Sequence, residues 1–161
     1  MKRLSALFTD AGCTGVQTYV QSGNVVFAAT PRLARRIPDV IERAIGAQFG
    51  LRVPVVTRSA AELRDVVKRN PYLPKASDTR MLHVAFLAAK PTPSKIAALD
   101  PDRSPPDEFA AHAREIYLRL PKGVARTKLT NAYFDSRLGT TSTIRNWRTV
   151  VKLVELTDSR P

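Results

Sequence analysis

The chain has 161 residues, 43% of them hydrophobic, which is enough for one globular domain or two small lobes and is not the composition of a disordered protein. It carries no apolar run near the roughly 20 residues of a transmembrane helix and no signal-peptide pattern. A single Cys excludes an internal disulfide framework. We therefore expect a cytoplasmic protein without a membrane partner.

The net charge of +12 suits a polyanionic partner such as nucleic acid, or a phosphorylated small molecule. Arg outnumbers Lys by 18 to 8, a skew that a GC-rich genome could produce without any function. The densest basic segment is residues 119–152, where Asp135 is the one acidic residue. Its basic residues are Arg119, Lys122, Arg126, Lys128, Arg137, Arg145, Arg148 and Lys152.

The first predicted elements are a short helix and a hairpin. The helix covers residues 2–10. Strong β-formers predict strands over 16–20 and 24–28, joined through Ser22 and Gly23. Glycine at that point supplies the positive φ that a tight hairpin requires.

A long helix, a strand and a capped helix follow. Apolar residues at helical spacing predict a helix over 32–49, in which Pro38 either kinks the helix or lies near its first turn. A strand is predicted over 53–57. Ser59 and Glu62 form a capping box that opens the next helix.

Residues 70–80 form the predicted linker between two lobes, residues 1–78 and 79–161. The second lobe has the predicted order β-α-β-β-α-α. Its predicted elements are a strand over 81–89, a short helix over 92–100, a strand pair over 108–113 and 115–121, and helices over 130–138 and 143–157.

This mixture of hairpins and helices predicts an α+β fold of two small lobes. The first lobe has the order α-β-β-α-β-α and fits a ferredoxin-like split βαβ unit that lacks its first strand. A sheet without one of its strands presents an unpaired edge, so we expect a homodimer through that edge, or poor solubility.

The stretch "TTSTIRNWRTVVKL" predicts an anion site. With Ser142 or Thr143 as the cap of the last helix, Arg145 lies in the first turn, where a cation costs roughly 0.3–1 kcal/mol. Hydroxyls, unpaired amides and a guanidinium at one helix end would bind an anion. The alternative is that Arg145 pairs with a carboxylate, such as Asp135 or Glu115.

A second stretch, "RTKLTN", precedes the helix predicted over 130–138. In the functional interpretation, Lys128 and Asn131 lie beside Arg145 and Asn146 in one ligand-binding pocket. In the structural interpretation, Thr130 or Asn131 only caps the helix.

The hairpin "QSGN" offers three further candidates for ligand binding, Gln21, Ser22 and Asn24. Gly23 is explained by turn geometry alone, and Asn24 in part. Gln21 and Ser22 would hydrogen-bond either a ligand or a neighbouring loop.

The stretches "TYVQSGNVVF" and "KLTN…RLG…T.RNW.TV.KL" resemble the bacterial family named domain of unknown function 1697, over nearly the whole chain. That family begins with a strand and a glycine-rich segment similar to "RGINVGG", which this sequence lacks; Met1 aligns inside the helix that follows. In the family the same residue types recur at the four pocket positions of the C-terminal segment, which implies a shared site. The resemblance implies a fold but no reaction.

Residues for catalysis are not identified. Cys13 has no basic partner in the sequence and is expected to be an ordinary thiol, and His83 lies inside a strand, where a packed histidine is expected. No spacing of His and Cys suits a metal, and no nucleotide-binding or nucleophile motif is present, so we expect neither a metal nor a cofactor.

Two functions remain. The preferred one is a basic binding module for nucleic acid or another polyanion. The alternative is an enzyme or sensor for a small phosphorylated or nucleotide-like ligand, bound at the starts of the two C-terminal helices. The salt dependence of binding separates them, because several cations on a polyanion give a steep slope.

Overall fold

The computed structural model describes residues 2–20 and 23–159, which form two compact units. The first unit contains the chain up to Thr57 together with the end of the last helix from Leu156, and the second contains Arg58–Glu155. Each unit contains helices and an antiparallel sheet, so the predicted α+β class is confirmed. The predicted lobes, 1–78 and 79–161, stay a prediction.

The first unit consists of a helix, a hairpin and a long helix. Its elements are α1 (Lys2–Asp10), β1 (Thr14–Tyr19), β2 (Asn24–Ala28) and α2 (Pro31–Phe49). The strands β1 and β2 pair antiparallel, as predicted. Thr30 caps α2 by accepting a hydrogen bond from Leu33 N, and Pro31 begins the helix. Pro38 therefore lies inside α2, and the alternative that placed it near the first turn is wrong.

The core of the first unit lies between α1, α2 and the hairpin. Every fourth residue of α2 from Ile37 to Ile45 is buried, as the helical period requires. Phe8 of α1 packs against Phe27 of β2 with 5.1 Å between the ring centroids. Cys13 is buried in the same core, and burial raises the pKa of its thiol, as in an unreactive cysteine.

The strand predicted over residues 53–57 is absent, and that prediction is wrong. The segment is rich in Val, but the backbone N–H of Val55 donates to Glu42 Oε1 at 2.7 Å. A donor that a neighbouring strand would use is thus bonded to a side chain. The ferredoxin-like form of the first lobe stays a prediction.

The second unit is built on a four-stranded antiparallel sheet with strand order β4-β5-β3-β6. Between α3 and β3, two single 3₁₀ turns, Leu73–Lys75 and Thr79–Met81, lie in the segment predicted as a linker. The elements are α3 (Ala60–Lys68), β3 (Leu82–Leu87), α4 (Pro93–Ala97), β4 (Glu108–His112), β5 (Glu115–Arg119), α5 (Asn131–Leu138), β6 (Ser142–Asn146) and α6 (Trp147–Asp158).

The predicted helix over 143–157 is wrong in its first turn. Residues Ser142–Asn146 form β6, which pairs with β3 so that Arg145 is opposite Val84 and Asn146 is opposite His83. The helix begins only at Trp147, and Asn146 caps it by accepting a hydrogen bond from Thr149 N at 2.8 Å.

From residue 79 onward the chain therefore has the order β-α-β-β-α-β-α rather than the predicted β-α-β-β-α-α. Its sheet elements and the helices between them, from β3 to β6, follow the β-α-β-β-α-β order of a split βαβ motif.

The two faces of this sheet are covered by different helices. On one face, Ala85, Leu87 and Leu118 pack in a core with residues of α5, including Phe134 and Leu138. On the other face, Tyr117 donates its hydroxyl to Val66 O of α3 at 3.0 Å. Residues of β3 thus alternate between two buried faces, which explains why the whole strand is buried.

Candidate functional site

An open cleft of about 540 Å³ lies in the second unit, beside the N-termini of α5 and α6. The elements around it place backbone and side-chain polar groups next to apolar ones. Its lining consists of His83, Val124, Thr127, Leu129, Thr130, Asn131, Ala132, Ile144 and Asn146.

His83 is the most buried polar side chain of the lining, with 7% of its surface exposed. Paired residues in an antiparallel ladder share a face, so His83 shares its face with Leu118 on one side and Asn146 on the other. Burial lowers the pKa of His83, and the contact of its Nδ1 with Met81 O, at 3.4 Å, opposes that shift in part. Burial thus favours the neutral form of the ring.

The contact with Met81 O favours the tautomer of His83 that carries its proton on Nδ1. In that tautomer Nε2 is a hydrogen-bond acceptor. Within the described residues, Nε2 has no hydrogen-bond partner. The ring thus contributes one acceptor to the cleft.

Two helix N-termini supply the donors. Thr130 caps α5 through Tyr133 N, and Asn146 caps α6 through Thr149 N, so each cap satisfies one first-turn amide. The other first-turn amides of a helix have no partner within the helix, and the helix dipole makes this end partly positive. The arrangement favours an anionic group.

Among the described residues, the lining of the cleft carries no acidic side chain, and basic residues flank it in the sequence. Four exposed basic residues lie within two positions of lining residues in the sequence: Lys122, Arg126, Lys128 and Arg148. Val124, Leu129, Ala132 and Ile144 give the cleft an apolar part, so it suits a ligand with an anionic group and an organic group.

The structure brings together two of the four residues predicted for the C-terminal pocket. Asn131 and Asn146 both line the cleft. Lys128 lies between two lining residues with an exposed side chain, and its backbone N–H donates to Ser104 Oγ at 3.0 Å. Arg145 lies on the opposite face of the sheet, with Val84.

Arg145 is therefore not in the first turn of a helix, and the electrostatic argument for an anion at that position was wrong. Its Nη1 donates to Thr143 Oγ1 at 2.6 Å and to Ile144 O at 3.0 Å. Burial lowers the pKa of Arg145. The carboxylates considered as its partners have other contacts: Glu115 pairs with Arg58, and Asp135 accepts from Ser142 Oγ.

The hairpin candidates belong to the first unit. Gln21 and Ser22 lie outside the described residues. Asn24 is buried, and its Nδ2 donates to Tyr19 O at 3.3 Å across the end of the hairpin. Asn24 thus has a contact that stabilises the turn.

His83 is a buried polar residue of the cleft that the sequence analysis does not place in the site, because a histidine inside a strand predicts a packed side chain. The signal was its position at the start of a buried strand, but its pairing with Asn146 required β6 to be recognised.

No cluster of three or more His, Cys, Asp or Glu side chains suited to a metal ion occurs in the described part of the chain. Likewise, none of the helices described is both long and apolar enough to cross a bilayer.

The one comparison that finds a match covers nearly three quarters of the chain. The family model described as "Protein of unknown function (DUF1697)" matches residues 1–117. His83 lies inside that range, whereas the other lining residues of the cleft follow it. No curated protein and no solved structure matches the chain.

Proposed function

The chain belongs to the DUF1697 family, whose description assigns no activity, and we propose from the cleft that it binds a small phosphorylated or nucleotide-like ligand at the N-termini of α5 and α6. The observation that supports this proposal is the opening of two helix N-termini into one cleft whose lining, as described, contains no carboxylate. Enzymes and sensors both begin with such binding.

The chemistry of the lining fits the two parts of such a ligand. Each helix end stabilises an anion by about 0.3–1 kcal/mol at the surface and by up to about 2 kcal/mol when partly buried. The side-chain amides of Asn131 and Asn146 add donors, and the apolar residues contact the organic part. The volume of about 540 Å³ lies in the range of small-molecule sites.

The exposed basic residues that flank the cleft in the sequence favour anion binding by long-range electrostatic attraction, without contacting the ligand. Lys122, Arg126, Lys128 and Arg148 attract anions over a distance of about 8–10 Å at physiological salt. Both nucleotides and nucleic acids occur in the cytoplasm, the location that we propose.

Binding of nucleic acid or another polyanion is the second candidate. The observation that favours it is the net charge of +12, with most of the basic side chains of residues 119–152 exposed. In this function the same cleft would hold one phosphate of a longer chain, and several cations would contact its neighbours.

Titrations with AMP and with a labelled random 20-mer, single- and double-stranded, at several salt concentrations test both candidates. We expect AMP to bind with a shallow salt dependence, and Asn131→Asp to weaken it at least tenfold, because a carboxylate at the start of α5 repels an anion without harming the helix. The control is Gln48→Glu, an exposed residue of α2 that gives the same change of charge.

Tight binding of the 20-mer with a steep salt slope, and no binding of AMP, would favour the second candidate. If neither probe binds at low salt, both candidates are wrong. Loss of AMP binding in both variants would show a dependence on net charge alone and would contradict the role of the cleft.

A further inference from the structure

The cleft contains one polar group that would not bind an anion, the acceptor atom Nε2 of His83. The ring is 7% exposed and lines the cleft, and its Nδ1 is directed to Met81 O. Its Nε2 has no hydrogen bond within the described chain. Nε2 is not one of the buried side-chain atoms without a partner in the described chain, so it is open to the cleft, where a ligand hydroxyl can donate to it.

The position of this acceptor is fixed relative to the start of α6. His83 and Asn146 are opposite each other in the β3–β6 ladder, where paired Cα atoms lie about 4.5–5.5 Å apart. Helix α6 begins at the next residue, Trp147. An anionic group at this helix end therefore lies within a short distance of the imidazole.

The other polar groups of the lining are suited to donate. Asn146 uses its Oδ1 to accept from Thr149 N, which leaves its Nδ2 as a donor. Asn131 and the first-turn amides of α5 add further donors. The cleft thus combines several donors for an anion with one acceptor beside them.

We infer that the ligand is a phosphate ester with a hydroxyl group close to its phosphate, as in phosphorylated polyols and sugars, and that this hydroxyl donates to His83 Nε2. The inference depends on the proposed function, because the phosphate must occupy the helix N-termini for the hydroxyl to reach the ring. An alkyl phosphate satisfies the donors but leaves Nε2 to accept from water alone.

The test compares glycerol 3-phosphate with n-propyl phosphate, which has the same carbon chain without the hydroxyls. At pH 8 both phosphates are dianions, since their second pKa is about 6, so the hydroxyls are the donors that differ. Affinities are measured by NMR titration of the full chain with ¹⁵N-labelled histidine. His112, the other histidine, lies outside the lining and is the internal control.

We expect glycerol 3-phosphate to bind about five- to tenfold more tightly than n-propyl phosphate, the gain typical of one neutral hydrogen bond. The Nε2 resonance of His83 should shift further with glycerol 3-phosphate than with n-propyl phosphate, and that of His112 should shift with neither. In His83→Gln, which keeps an acceptor, part of the preference should remain, whereas in His83→Leu it should vanish.

Equal affinities for the two probes would overturn this inference and leave the proposed function intact. A preference without this larger shift at His83 Nε2 would also overturn it. If neither probe binds, the proposed function fails and the inference fails with it. The wild-type comparison decides these outcomes even where His83→Leu does not fold.

Discussion

Arg58 Nε lies 2.7 Å from Glu115 Oε1, and the two side chains are only 4% and 9% exposed. Arg58 also donates to Leu87 O at 2.8 Å and to Arg114 O at 2.9 Å, and its guanidinium lies 5.5 Å from the centre of the Phe86 ring. The guanidinium of Arg58 thus joins the segment that precedes the cap of α3 to the end of β3 and to the β4–β5 turn.

The pair predicts a large loss of stability when one charge is removed. Glu115→Gln leaves the buried guanidinium without a counter-charge and should lower the free energy of unfolding by about 3–5 kcal/mol. Urea unfolding measures the change. Lys152→Met, which removes the exposed pair between Lys152 and Glu155, should cost less than about 1 kcal/mol. Similar losses in the two variants would contradict the account of burial.

His83 predicts a pH dependence of stability. Its folded pKa lies below the unfolded value of about 6.5 because burial disfavours the imidazolium. As pH falls below about 6.5, the unfolded state binds a proton that the folded state does not, so the free energy of unfolding decreases until pH reaches the folded pKa. Above pH 7, protonation of His83 no longer changes the free energy of unfolding, because the imidazole is neutral in both states.

Unfolding measured from pH 5 to 8 for the wild type and for His83→Gln isolates this term, because carboxylates titrate alike in both proteins. We expect the advantage of the wild type over the variant to shrink as pH falls. An advantage that stays constant would show that His83 has an ordinary pKa.

The placement of Arg145 predicts different effects for two neighbouring residues. Asn146→Ala should weaken binding of AMP and, by loss of the cap of α6, lower stability by about 1 kcal/mol. Arg145→Ala should leave binding within about twofold, because Arg145 lies on the other face of the sheet. It should still reduce stability, since the hydrogen bonds to Thr143 and Ile144 are lost.

Titration of the two variants with AMP, together with urea unfolding, checks this prediction. Equal weakening of AMP binding by Arg145→Ala and Asn146→Ala would return Arg145 to the site.

A homodimer through the first sheet stays a prediction. Among the described residues, β1 and β2 pair only with each other, so each strand has one edge without a strand neighbour. If the chain dimerises through β1, Gln17→Lys should produce monomers, because an edge lysine opposes strand pairing. Light scattering measures the mass, and Gln48→Lys in α2 is the control. A wild-type monomer would contradict the prediction.

The sequence predicted those elements whose ends carry local signals. Thr30 with Pro31, the capping box of Ser59 and Glu62, and Gly139 after α5 all act within their own helix ends. Their positions therefore follow from a few neighbouring residues, and the helices were found close to their true bounds.

The wrong secondary-structure predictions fall in segments whose conformation depends on contacts with residues far away in the sequence. Residues 142–146 contain β-formers at positions that also fit the apolar stripe of the following helix, and pairing with β3 selects the strand. At Val55 the error is the opposite one: a strand is predicted and none forms, because the backbone N–H of Val55 donates to Glu42 and not to a neighbouring strand. The same limit applies to the cleft. Asn131 and Asn146 are predicted as residues at helix starts, from the local sequence. His83 can be assigned to the cleft only once its pairing with Asn146 in the β3–β6 ladder is known.

Strand β6 passes into α6 without an intervening loop, and Asn146 is both the last strand residue and the helix cap. One wall of the cleft is therefore continuous with a ladder of backbone hydrogen bonds to β3. Since β6 is an edge strand, its detachment would carry the start of α6 away from His83 in the same motion. Amide hydrogen exchange along β6 and at the first turn of α6 should share one opening free energy, and an occupied cleft should slow both together.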